Sequence, residues 1–147
     1  MMLSPLRAAS VAAVAVLLTA GTIARGAPDG TLRVTHAYAR PVPAGAVGAA
    51  YLEIENPSST ADRLLSLSST VGTAELHEMK MDGDVMRMRK IASLEIPAHA
   101  TIRFAPGGFH VMLTHLEHPL AADEHFRLRL QFERAGEVDV DVPVEQR

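Results

Sequence analysis

Phe126-Arg127-Leu128-Arg129-Leu130-Gln131-Phe132, followed after Ala135-Gly136 by Val138-Asp139-Val140-Asp141-Val142, decides the fold class of this chain. Apolar and polar residues alternate with period 2 in both segments. That pattern belongs to strands buried on one face and solvated on the other. Working outward, short runs of similar character recur at 32–39, 48–55, 63–69, 73–81, 85–91, 100–104 and 110–113. Between them stand Pro41-Val42-Pro43-Ala44-Gly45, Asn56-Pro57, Asp82-Gly83, Pro97, Pro106-Gly107-Gly108 and Pro119, which leave little room for a long helix. Many short strands with regular turn signals predict a single all-β domain, a Greek-key sandwich or small barrel.

The first residues are expected to lie outside that domain. Met1 to Arg7 carries positive charge, and 8–20 is an uninterrupted small and apolar run of thirteen residues. Such a run is short of the roughly 20 residues a membrane-spanning helix needs and has the form of a secretory signal. Small residues at Thr22, Ala24 and Gly26 suit cleavage after Ala24 or Gly26, so residues 1–26 are assigned to the signal and 27–147 to one exported β domain. No stable membrane anchor is expected, since the sequence contains no cysteine for a lipid. The same lack removes disulfides and thiolate chemistry. A net charge of −3 and the lack of any Lys/Arg run give no field for nucleic acid. The domain is expected to be a periplasmic monomer.

Beyond the signal, five methionines remain: Met79, Met81, Met86, Met88 and Met112. Each alone would more often be core filler, because an unbranched thioether adapts to irregular gaps. Their company changes the reading. His77, Met79 and Met81 share one face of a strand by parity, as do Met86 with Met88 and His110 with Met112. Asp82-Gly83 is a pair favoured in two-residue hairpin turns, and taking it as the turn pairs Met81 with Asp84, His77 with Met88 and Met79 with Met86. Directly opposed Cβ atoms lie about 4.5–5.5 Å apart, close enough to share an ion. His110-Val111-Met112 supplies the other half, after a glycine turn. Two imidazoles and two thioethers make an N2S2 set, and thioether sulfur selects soft Cu(I) over zinc, calcium or magnesium. Without cysteine, a blue-copper electron-transfer centre is excluded.

Ten residues separate His77 from Met88, twenty-one separate Met88 from His110, and one separates His110 from Met112. In this spacing, and in the flanking Glu75-Leu76-His77-Glu78-Met79, Val85-Met86-Arg87-Met88-Arg89 and Pro106-Gly107-Gly108-Phe109-His110-Val111-Met112-Leu113, the chain resembles the periplasmic copper chaperones called PCu(A)C. The resemblance runs from about Leu32 to Val144. It implies a cupredoxin-like Greek-key fold, with one Cu(I) held by His77, Met88, His110 and Met112. It further implies delivery of that ion to the copper centre of a respiratory oxidase, through an oxidase subunit or its assembly factor. Some relatives add a His- and Met-rich tail with a second copper site, and no such tail is seen after Val144-Glu145-Gln146-Arg147.

Met79, Met81 and Met86 are expected as the wall of the site or as core, not as ligands. His36, His99, His115, His118 and His125 have no soft partner at strand spacing and are read as surface residues. The acids of 137–141 are read as the solvated face of a terminal strand. Two other functions compete with the chaperone. A copper-dependent enzyme would need an open coordination position and a placed acid or base, and four ligands fill a tetrahedral shell. A plain β-sandwich interaction module would leave the four-residue spacing unexplained.

Overall fold

The computed structural model describes residues 31–147; the expected signal at 1–26 lies outside them. Within the described residues the regular elements are all strands: β1 Arg33–Ala39, β2 Gly48–Asn56, β3 Asp62–Ser69, β4 Thr73–Asp82, β5 Val85–Lys90, β6 Leu94–Ile96, β7 Ala100–Arg103, β8 Phe109–Thr114, β9 His125–Phe132 and β10 Gly136–Pro143. The nine strands read from the sequence are present with ends moved by one or two residues. β6 is the addition: three residues are too few to display an alternation.

The strands form two antiparallel sheets. One runs β1-β2-β8-β4-β5, with β7 also paired to β2; the other runs β10-β9-β3-β6. Alternation determines which side chains meet between them. In β9, Phe126, Leu128, Leu130 and Phe132 are buried while Arg127 and Arg129 are exposed; β10 buries Val140 and Val142 and exposes Glu137, Asp139 and Asp141. These face Leu52, Ile54, Leu76, Val111 and Leu113 of the first sheet, all in one buried cluster. Full burial contributes about 1.5–3 kcal/mol for each such side chain before entropy is counted. A parallel bridge between Ala39 and Val144 ties the two sheets together.

Among the described residues three polar ones are buried: Asn56, Asp62 and His110. Two of them hold loops. Asn56 donates through Nδ2 to the carbonyls of Thr60, Ile96 and Pro97 and accepts at Oδ1 from Ser58. The Asp62 carboxylate accepts the backbone N–H groups of Arg63, Arg134 and Ala135. His110 has a different setting. With Leu76, Val111 and Leu113 turned inward, strand parity turns His77, His110 and Met112 to the outer face of the first sheet.

Candidate metal centre

The site begins with a turn. Gly108 N–H donates to the Ala105 carbonyl at 3.0 Å, with Pro106 and Gly107 between them and Gly107 at φ 86°. Proline sets the first central residue of such a turn, and the positive φ at the second requires glycine. The turn delivers the chain into β8 and leaves the Gly108 carbonyl with two donors. Met79 N–H reaches it at 3.1 Å and the His110 ring nitrogen Nδ1 at 3.1 Å. A carbonyl only accepts, so His110 Nδ1 carries the hydrogen and Nε2 carries the lone pair.

β4 pairs with β8 so that His77 lies directly across from His110, and Glu75 across from Met112. The two imidazole centroids are 5.8 Å apart with planes 39° from parallel. An ion about 2 Å from one nitrogen of each ring would lie about 3 Å from each centroid, so this separation lets both rings share it. His77 is only 12% exposed in its side chain. Its Nε2 meets Glu75 Oε2 at 3.3 Å, while its Nδ1 is buried with no hydrogen-bond partner among the described residues. Glu75 is ionised: the Lys90 ammonium at 2.6 Å, and then His77, hold its carboxyl below the usual carboxylate range. An ionised acceptor fixes the hydrogen on Nε2 and leaves the Nδ1 lone pair free. Carboxylate, imidazole and open lone pair in that order match how metal-binding histidines are oriented. Sequence reasoning assigned Glu75 no role. Its signal was present in the two-residue spacing from His77 on one strand face.

Met112 shares the face of His110 two residues further along β8 and is partly buried. Met88 is positioned differently from expectation. The hairpin turn is Gly83-Asp84, with Asp82 paired to Val85, Met81 to Met86, Met79 to Met88 and His77 to Lys90. Gly83 has φ 62° and Asp84 is not in the left-handed region, the requirement of a turn with glycine first. Asp82-Gly83 as the central pair would favour a positive φ at Asp82, which instead stays in the strand and bonds Arg87 at 2.9 Å. The expected pairs His77 with Met88 and Met79 with Met86 are therefore corrected by two residues. A shift of two preserves the face, so Met88 still projects on the side of His77. It stands across from Met79, half exposed at 50%. Met88 and Met112 flank His77 from opposite directions, four residues apart along the strands, or about 13 Å. The structure thus brings His77, His110 and Met112 into one patch and places Met88 on its outer margin.

Among the described residues no three His, Asp or Glu side chains come together as a possible metal site. On the same face, the thioether of Met112 stands two residues from His110. His36, His99, His115, His118 and His125 are exposed, as expected.

A model of the family described as "Putative lipoprotein LpqE-like" matches residues 32–144. The chain belongs to the LpqE-like family. A relative from Leifsonia xyli subsp. xyli, named "Putative lipoprotein Lxx21020", is 32% identical over 95% of this chain and 89% of its own length. Among solved structures, the apo PCuAC domain of PmoF1 is similar at 27% identity and a TM-score of 0.66, covering 80% of this chain and 96% of that one. The Cu(I) form of DR1885 from Deinococcus radiodurans is similar at 26% identity and 0.59, covering 83% and 81%. The copper-bound PCuAC domain of PmoF2, at 24% identity and 0.67 over 80% and 95%, shares the fold. This LpqE-like chain therefore has the cupredoxin-like architecture of PCuAC domains.

Proposed function

We propose that this LpqE-like protein is an extracytoplasmic copper chaperone that binds one Cu(I) through His77, His110, Met112 and Met88 and hands it on. The observation that carries the reading is the buried Nδ1 of His77, unpartnered among the described residues, beside a second imidazole whose Nδ1 is tied back to Gly108. A buried acceptor without a donor costs about 1–3 kcal/mol, and a metal ion would satisfy it. Two neutral nitrogens with thioethers on the same face suit a soft monovalent ion. Copper here is cargo. Four donors would close the Cu(I) shell, which favours binding and release over catalysis.

Support from outside the chain is the likeness to DR1885, whose solved form is a Cu(I) complex. The acceptor is proposed to be the copper centre of a respiratory oxidase or an assembly factor serving it. A cysteine-containing acceptor would draw the ion from thioethers by stronger donation. The test is an anaerobic titration with Cu(I) against a chelating competitor, followed by mixing the loaded protein with a soluble oxidase copper domain while a chelator trap is present. One equivalent of Cu(I) bound in preference to Zn(II), and copper recovered in the domain, is the expected result. Preference for Zn(II), or all copper in the trap, would count against the proposal.

A further inference from the structure

Of the six large hydrophobic residues exposed among the described residues, three are methionines of one hairpin: Met81 at 55%, Met86 at 48% and Met88 at 50%. They are neither core nor the wall of an enclosed site. Met81 stands directly across from Met86, and Met79 directly across from Met88. The Ile91 N–H donates to the Leu76 carbonyl at 2.9 Å, which makes Leu76 and Ile91 a hydrogen-bonded pair. Counting along the ladder, the pairs His77–Lys90, Met79–Met88 and Met81–Met86 are then all of the non-hydrogen-bonded kind, whose side chains approach more closely. Four thioethers thus form two adjacent rungs on one face.

The opposite face has a different composition. There Glu78 pairs with Arg89 at 2.7 Å and Asp82 with Arg87 at 2.9 Å, and Lys80 stands beside them. Charge on that face meets the solubility needs of an edge hairpin. Burial does not account for three of the four methionines on the other: Met86 and Met88 lie on β5, exposed along its whole length, and Met81 is exposed on β4, while Met79 is partly buried. Leu or Val there would be as hydrophobic, and Thr or Lys would be more soluble. What methionine alone adds at an exposed position is a neutral, polarisable sulfur donor.

We infer that the outer face of the β4–β5 hairpin is a second, thioether-only Cu(I) site, made by Met81 and Met86 at the tip with Met79 behind them, while Met88, a donor to the first ion, stands across from Met79 between the two sites. It lies one rung from His77, so an ion taken at the exposed tip passes to the imidazole pair by exchanging one thioether donor at a time. No proton or electron moves in that exchange, because thioethers bind without deprotonation and copper stays Cu(I). The inference rests on the copper reading above for its metal, and on the hairpin register for its place.

The test is a titration of the protein carrying methyl-13C methionine with Ag(I), a redox-silent Cu(I) surrogate, and then with Cu(I) itself. Methyl resonances report each methionine separately. A first equivalent is expected to shift Met112 and Met88, and a second to shift Met81, Met86 and Met79. In the double variant Met81→Leu with Met86→Leu the second event should be lost, uptake of Cu(I) should slow several-fold, and first-equivalent affinity should stay within about twofold. No shift of the Met79, Met81 and Met86 methyls at two equivalents would overturn the inference, as would an unchanged second event in the double variant. The variant His77→Leu with His110→Leu separates the two proposals. If the parent shows no imidazole-dependent first event but the tip methyls still respond, the His-containing site fails and the thioether site stands.

Discussion

Replacing His77 by Leu should make the metal-free protein more stable while removing most of its stabilisation by copper. In the parent, the His77 side chain is 12% exposed and its Nδ1 is buried without a donor. That orphaned acceptor costs about 1–3 kcal/mol. What the substitution removes is the 3.3 Å bond to Glu75, a long bond at a partly exposed carboxylate that also holds Lys90. Such a bond, screened by solvent, contributes less than the orphaned acceptor costs. Leu is similar in size and brings no polar atom, so the balance favours the variant by about 1 kcal/mol. For a domain of this length that raises the unfolding midpoint by about 4 °C. Copper reverses the order. At a free Cu(I) concentration about a hundred times its Kd, the parent gains about 2.7 kcal/mol, or roughly 10 °C, and the variant gains little. Thermal unfolding by circular dichroism, anaerobic, with and without buffered Cu(I), measures both quantities. A metal-free variant less stable than the parent by about 1 kcal/mol or more would show that His77 is a structural core residue and refute the reasoning.

Other outcomes are expected from the same structure. Met112→Leu and Met88→Leu should each keep the parent's circular dichroism and weaken Cu(I) in a competitor assay, since Leu is near-isosteric and removes only the sulfur; Met112, set in the patch, should matter more than Met88 on its margin. Asp62→Ala should cost about 3 kcal/mol in urea unfolding by stripping the acceptor from the N–H groups of Arg63, Arg134 and Ala135, yet leave the parent's Cu(I) stoichiometry unchanged, because Asp62 is on the other sheet. The Arg129 guanidinium holds the Asp139 carboxyl below its ordinary value, so its contribution is present above the unfolded pKa of about 3.9 and is lost as pH falls through the lower folded value. Unfolding midpoints of the parent and Asp139→Asn should therefore differ slightly at neutral pH and converge below about pH 4, the pair being exposed.

How much of this was legible in the sequence follows from the range of each signal. Alternation in 126–132 and 138–142 is a local signal tied directly to burial, and both strands lie where it places them with the predicted face inward. The face of the site was legible for the same reason: parity survives a register error of two. The register itself was not, because Asp82-Gly83 and Gly83-Asp84 both read as two-residue turns and the local pattern does not choose between them. Pairing of β4 with β8, which brings His77 to His110, links residues thirty-three apart and leaves no local trace. The exposure of Met81, Met86 and Met88 was hidden as well. Nothing in a run of methionines says that β5 is an edge strand left exposed on both faces by the described residues.

X-ray absorption at the copper edge of the protein loaded with one equivalent of Cu(I) tests the central claim most directly. The predicted result is a Cu(I) edge, with nitrogen scatterers at about 2.0 Å from two imidazoles and sulfur at about 2.3 Å, distances near those of other d10 ions with these donors. The sulfur component should fall in Met112→Leu. A shell of nitrogen and oxygen alone, unchanged in that variant, would contradict the claim that thioethers on this face hold the ion.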